Sequence, residues 1–173
     1  MRILKTKEER GSLLAFGSVQ IGYAAAFGGL VFALRALGIG VPIGPGGMLM
    51  DPRDIISIVG PGFSGLIGSI IISILAALPS AVFCVQVYVP LGILWALMFH
   101  YLRHPWYYVT LVIGILTAWT ASWAFWEMVW GYMPFWVGVT TTFIGNDIVY
   151  IPACIIVIEV LRKYSPTAKR LIG

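Results

Sequence analysis

The sequence predicts an all-α integral membrane protein, a six-helix bundle whose second helix is short and whose N- and C-termini are both cytoplasmic; five spans is the alternative. Three observations predict it. Hydrophobic residues make up 60% of the 173 and charged residues only 10%, and the mean hydropathy of +0.93 lies outside the range of soluble domains. The apolar residues fall in blocks of about 20, the length a helix needs to cross a ~30 Å hydrocarbon core. Of the eleven basic residues, eight stand near the two ends: Arg2, Lys5, Lys7, Arg10, Arg162, Lys163, Lys169 and Arg170. The net charge of +4 is thereby a topology signal with acidic membrane lipid as neighbour, and nucleic acid is not an expected partner. The chain reads as one polytopic membrane domain over 1–173, with basic cytoplasmic tails at 1–11 and 162–173.

The first apolar block, Ser12 to Leu37, is too long for a signal-peptide core and lacks a clear cleavage site, so it stays as a helix. Further blocks run over 61–78, 81–102, 106–126 and 136–161, the last interrupted by Asn146 and Asp147. Met48 to Val59 is the ambiguous piece: as a helix it reaches only about 18 Å, too short to span. Charge decides its treatment. Five spans would put the two basic ends on opposite sides, whereas six place both ends and the Arg103 turn on the cytoplasmic side, as the positive-inside rule prefers. Residues 48–59 are therefore expected to form a short second helix, with Gly60-Pro61-Gly62 reversing the chain. Small residues recur every four positions at Ala25, Gly29 and Ala33, at Gly65, Ser69, Ser73 and Ala77, and at Gly114, Ala118 and Ser122. Such rows let helix backbones approach closely in lipid. Cys84 and Cys154, inside apolar blocks, read as small buried hydrophobes.

Charges within the apolar region point to function. With six helices, Asp51, Arg53 and Asp54 stand at the outer end of the second helix, Glu127 at the outer end of the fifth, and Asp147 beside Asn146 about ten residues down the sixth. An ionised group at such depth costs several kcal/mol unless paired or solvated. Arg53 with Asp147, or Arg35 with Asp54, as structural ion pairs would supply that pairing; a polar cavity is the other reading. Trp119, Trp123, Trp126 and Trp130 share one helix face. Trp126 and Trp130, with Tyr132 and Trp136, fit an interfacial aromatic belt, while Trp119 lies deeper, where an indole face can stack on a ring or hold a cation. His100 and His104 are four apart, but two ligands without a carboxylate or thiol make neither a metal nor a haem site, and headgroup contact is their ordinary role.

Gly62-Phe63-Ser64-Gly65 matches the GxSG pattern of rhomboid intramembrane proteases. That chemistry takes its general base from a histidine on a later helix, and no histidine follows position 104. A phosphate-binding GxxxxGK[ST] is also absent, so the chain does not itself hydrolyse ATP through a P-loop. No catalytic set, metal site or cofactor is expected.

The stretch "GGMLMDPRDIISIVGPGFSGLIGSIIISIL" resembles the segment of substrate-binding S-components of energy-coupling factor (ECF) transporters in which a loop leads into an acidic helix start and a Gly-Pro turn opens a Gly-rich third helix. The close, "FIGNDIVYIPACIIVIEVLRKYSP", resembles their last helix, with polar substrate-facing residues and a basic cytoplasmic end. The second helix is shorter than the family's usual form. The resemblance implies a vitamin-uptake subunit of a prokaryotic plasma membrane that captures its ligand from outside and docks on a membrane coupling protein carrying two ATPase subunits. It implies docking through Ala25, Gly29 and Ala33. It also implies a substrate site drawn from the Val41 to Asp54 region (with Asp51, Arg53 and Asp54), Trp119, Glu127, Asn146 and Asp147, covered by the Gly44 to Met50 loop. An acidic site with aromatic surfaces favours a cationic or hydrogen-bond-donating heterocycle, although Arg53 offers an anion partner equally. The alternative from another class is a small structural subunit of a larger, respiratory-type membrane complex whose polar residues tie helices together.

Overall fold

The computed structural model describes residues 3–6, 12–42, 49–78 and 84–172. Among these the chain is α-helical apart from a two-residue antiparallel ladder, β1 (Val41–Pro42) with β2 (Leu49–Met50), and an isolated bridge between Leu4 and Leu102. Helix α1 is Ser18–Ala36, α2 Pro52–Val59, α3 Pro61–Ala77, α4 Val85–Tyr101, α5 Trp106–Val129, α6 Phe135–Tyr164 and α7 Pro166–Ile172. Three of them, α1, α5 and α6, are long and apolar enough to cross a membrane; α2 and α3 together also pass that test but are bent by 106°. Large apolar side chains face outward along these helices, with Ile144, Ile148 and Ile156 each more than half exposed. In water such faces would be a liability; against lipid they are the favourable solution.

The blocks seen in the sequence become helices with shifted ends. α1 begins at Ser18 rather than Ser12, with the Gly17 amide donating to the Gln20 side chain at 3.2 Å. α2 begins at Pro52 rather than Met48, because Asp51 caps it: the carboxylate accepts from the Arg53 amide, and Pro52 occupies the first turn, where no amide donor is needed. Within the basic stretch, residues 162–164 and 166–172 are helical. Arg162 and Lys163 complete α6, and 166–172 form α7, capped by the Ser165 hydroxyl accepting from the Ala168 amide at 3.1 Å, with Ala168 and Ile172 buried. At the other terminus Lys5 is buried and donates to the Phe99 carbonyl at 3.0 Å.

The reversal expected at Gly60-Pro61-Gly62 occurs later. Gly60 is right-handed helical (φ −52, ψ −39) and its carbonyl accepts from the Phe63 and Ser64 amides and from the Ser64 hydroxyl. Helical geometry is lost only at Gly65, at φ 68 and ψ −172, a region essentially reserved for glycine. The helical run after Asp51 therefore extends to Ser64, about 13 residues or ~20 Å. Ser64, the serine of the GxSG match, is fully buried and bonded to its own helix.

Small residues set the helix spacing. Ala24, Gly28 and Val31 are the buried face of α1; a Cβ at Gly28 would lie 2.7 Å from Leu75, and one at Gly68 3.2 Å from Ala24. Between α3 and α4 a Cβ at Gly92 would lie 2.2 Å from Ser73 Oγ, so the Ser69 and Ser73 row faces α4. Gly114 approaches the Trp95 ring in the same way. The row Ala25, Gly29 and Ala33 is different: all three are exposed, and a Cβ at Gly29 would meet nothing within 4 Å. The residue 3–5 segment pairs with 101–103, and α7 packs Ile172 beside Gly62, where Phe99 of α4 also approaches, at the same end of the bundle. Arg35, Asp51, Tyr88 and Glu127 gather at the other.

Candidate functional site

At that second end a cavity of about 180 Å³ opens among α1, α2, α4, α5 and α6. Asp51, Arg53, Asp54, Glu127 and Asn146, five of the seven expected substrate residues, line it. Arg35, Tyr88, Trp123 and Thr142 complete the wall.

The charged half is a closed network. Arg53 Nε lies 2.6 Å from Asp51 Oδ2, an ion-pair contact off the hydrogen-bonding direction, and 4.0 Å from Asp54 Oδ1. Its Nη1 donates to the Ala76 carbonyl at 2.5 Å, and its guanidinium sits over the Tyr88 ring at 5.3 Å. Asp54 Oδ1 accepts from the Tyr88 hydroxyl at 2.5 Å, and Oδ2 from the Tyr150 hydroxyl at 2.6 Å. The Tyr150 oxygen in turn accepts from the Asp51 amide at 3.1 Å. Arg35 Nη1 stands 3.7 Å from Asp51 Oδ2 on the more exposed side. The pairing contemplated from the sequence, Arg53 with Asp147 or Arg35 with Asp54, is thus replaced by Arg53 with Asp51 and Asp54, and Arg35 with Asp51. All three ends of the network, on α2, α4 and α6, are held by it.

Two expected site residues lie behind the wall. Trp119 is buried, edge-on to Tyr88 at 6.0 Å, to Trp123 at 6.1 Å and to Tyr150 at 6.3 Å, so it supports the cavity floor instead of offering a face to a ligand. Asp147 is fully buried and shares a short hydrogen bond with the Thr120 hydroxyl, which also contacts the Ile115 carbonyl. Its neighbour Asn146 lines the cavity, whereas the Asp147 side chain turns to Thr120 on α5. Two π-helical turns, Ile115–Trp119 and Phe143–Asp147, sit where α5 and α6 meet here, a feature frequent at functional sites. The Gly44 to Met50 cover falls mainly on residues outside those described; Leu49 and Met50 belong to β2.

Trp123, Tyr88 and Thr142 were not singled out as site residues from the sequence. Trp123 and Thr142 carry a helical signal, standing four residues before Glu127 and Asn146 respectively, on the same faces. Tyr88 carries none, since its role depends on where α4 packs against α2. Of the remaining aromatic stripe, Trp126 and Trp130 stack at 5.9 Å, with Tyr132 and Trp136 strongly exposed, as a belt requires. His100 and His104 take aromatic neighbours, Tyr101 at 4.9 Å and Tyr108 at 5.5 Å; His104 Nε2 is 4.0 Å from Glu159, which also pairs with Arg162 at 2.9 Å. Among the described residues no cluster of three metal-ligating side chains occurs. The chain matches no protein-family model, no curated protein and no solved structure.

Proposed function

We propose that this chain is the membrane-embedded solute-binding subunit of an ATP-driven uptake transporter of the S-component type, capturing a small vitamin-like or heterocyclic solute from the outer side. The single observation that carries the reading is convergence: polar residues singled out from the sequence, in three segments far apart (51–54, 127 and 146), line one cavity with Tyr88 and Trp123. Ligand sites between helices of a bundle have this character. At about 180 Å³ the cavity is smaller than the ~300–1,000 Å³ of drug-sized sites, which favours a compact solute.

Six crossings follow if the 52–64 run counts as the second, and the basic ends then stand together on the cytoplasmic side of a plasma membrane. The cavity opens on the opposite, outer side. Ala25, Gly29 and Ala33, exposed on α1, supply a smooth face for a membrane coupling protein, with ATPase subunits beneath it. The competing reading, a structural subunit of a larger membrane complex, draws on the closed Arg53, Asp54, Tyr88 and Tyr150 network, which ties helices whether or not a ligand binds. Affinity purification from native membranes in mild detergent separates the two. An integral partner accompanied by ATPase subunits is the expected result; electron-transfer subunits would support the structural role instead.

A further inference from the structure

We infer that the cavity selects a monocationic, nitrogen-based ligand carrying N–H donors, an amine or amidine, held by Glu127 against Trp123; this rests on the solute-binding reading above. The argument is a charge balance. Five acidic or basic side chains line the cavity: Arg35, Arg53, Asp51, Asp54 and Glu127. Two cations and two anions balance: Arg53 is held by Asp51 at 2.6 Å, Asp54 at 4.0 Å and the Ala76 carbonyl, and Arg35, its side chain 35% exposed, lies 3.7 Å from Asp51 at the rim.

Glu127 is the remainder. Its carboxylate is in no ion pair among the described residues, and Oε2 is buried without a hydrogen-bond partner. It is wedged against α6, where a Cβ at Gly138 would come within 3.1 Å of Oε2. A buried acceptor left unsatisfied costs about 1–3 kcal/mol, more when charged, so a donor in the cavity that Glu127 lines is favoured if it draws the carboxylate off Gly138. Trp123 stands one helical turn below on the same face of α5, and both residues line the cavity. An indole beside a carboxylate is the pairing that recognises organic cations, through ring quadrupole and ion pair together. Asn146 on α6 also lines the cavity, and its side-chain carbonyl can accept a second N–H. A strongly hydrated inorganic cation finds only one free carboxylate here and is not favoured, since such ions take six or more oxygen ligands.

Three probes of equal size and different charge test the inference: benzamidine (a cation at neutral pH), benzamide and benzoate, titrated calorimetrically against the full-length protein in nanodiscs. The expected order is benzamidine tightest, by about tenfold or more over benzamide, with benzoate weakest, since charge-assisted hydrogen bonds are roughly twice as strong as neutral ones. Glu127→Gln keeps the shape and should remove the preference for benzamidine over benzamide while benzamide affinity changes less than about twofold. Trp123→Leu should weaken benzamidine more than benzamide, an effect a purely steric wall would not produce. Benzamide or benzoate binding as tightly as benzamidine, or a preference unchanged in Glu127→Gln, overturns the cation assignment and leaves solute binding standing. Binding of none of the three overturns both.

Discussion

Replacing Asp54 with alanine asks whether the network at the head of the cavity holds the bundle together. Asp54 takes two phenol hydrogen bonds, from Tyr88 at 2.5 Å and Tyr150 at 2.6 Å, and lies 4.0 Å from Arg53 Nε. Its loss falls unevenly on these partners. The Tyr150 hydroxyl can turn to the Asp51 carbonyl at 3.3 Å, and Arg53 keeps Asp51 at 2.6 Å and the Ala76 carbonyl at 2.5 Å. Tyr88, buried on α4, has no second hydrogen-bond partner among the described residues. One orphaned buried hydroxyl costs about 1–3 kcal/mol, and the lost hydrogen bonds to a charged acceptor about 1.5–3 kcal/mol each before Tyr150 recovers its share. A total of about 3–5 kcal/mol follows, the range for breaking a buried ionic network by removing one member. Reversible unfolding in dodecyl maltoside micelles titrated with sodium dodecyl sulfate measures it. Asp54→Asn, which retains one acceptor oxygen, should fall between alanine and wild type. A loss under about 1 kcal/mol for alanine, the size of an exposed ion pair, would refute the reasoning.

Other expectations follow from the packing. Gly65→Ala should destabilise by about 1–3 kcal/mol through backbone strain, because a Cβ there makes only ordinary contacts, with the Ala15 carbonyl at 3.5 Å and Gln20 Cγ at 4.0 Å; Gly29→Ala, on an open helical surface, should be neutral or stabilising by up to about 1 kcal/mol. Gly92→Ala should cost about 1–3 kcal/mol by overpacking against Ser73 Oγ at 2.2 Å, and adding Ser73→Ala should restore most of it, since Ser73 Cβ is 3.5 Å away and Oγ has no hydrogen-bond partner; a double-mutant cycle in the same unfolding assay reads the coupling. Trp119→Phe should lower stability by about 1–3 kcal/mol as a core truncation while leaving ligand affinity within about threefold.

Much of the fold is legible in the sequence because lipid imposes so narrow a menu. Blocks long enough to span become helices, since only helices satisfy their backbone inside a hydrocarbon core without closing a barrel. Boundaries depend on finer chemistry. Charge bias, not apolarity, makes Met48 to Val59 a helix in the sequence reading, yet the Asp51 cap and Pro52 start it four residues late, and only backbone angles reveal that Gly65 ends it. Composition alone weighted Gly60-Pro61-Gly62 as the break, but Pro61 forgoes only its own bond to the Ser57 carbonyl, and the helical pattern resumes at once, with the Gly60 carbonyl accepting from the Ser64 amide and hydroxyl. The site was legible as a set of charges whose burial demanded an explanation. Which of them face the cavity was partly accessible: helical spacing ties Trp123 to Glu127 and Thr142 to Asn146. The exclusion of Trp119 was not accessible, because it follows from Tyr88 and Tyr150 approaching from two other helices.

The most direct test of solute capture at this cavity is native mass spectrometry of wild-type and Trp123→Ala proteins, extracted gently from the same host membranes. A small non-lipid adduct on the wild type that is lost from the variant, with both proteins still folded, is the predicted result. An adduct retained equally by both, or a wild-type protein that carries none, would contradict the account.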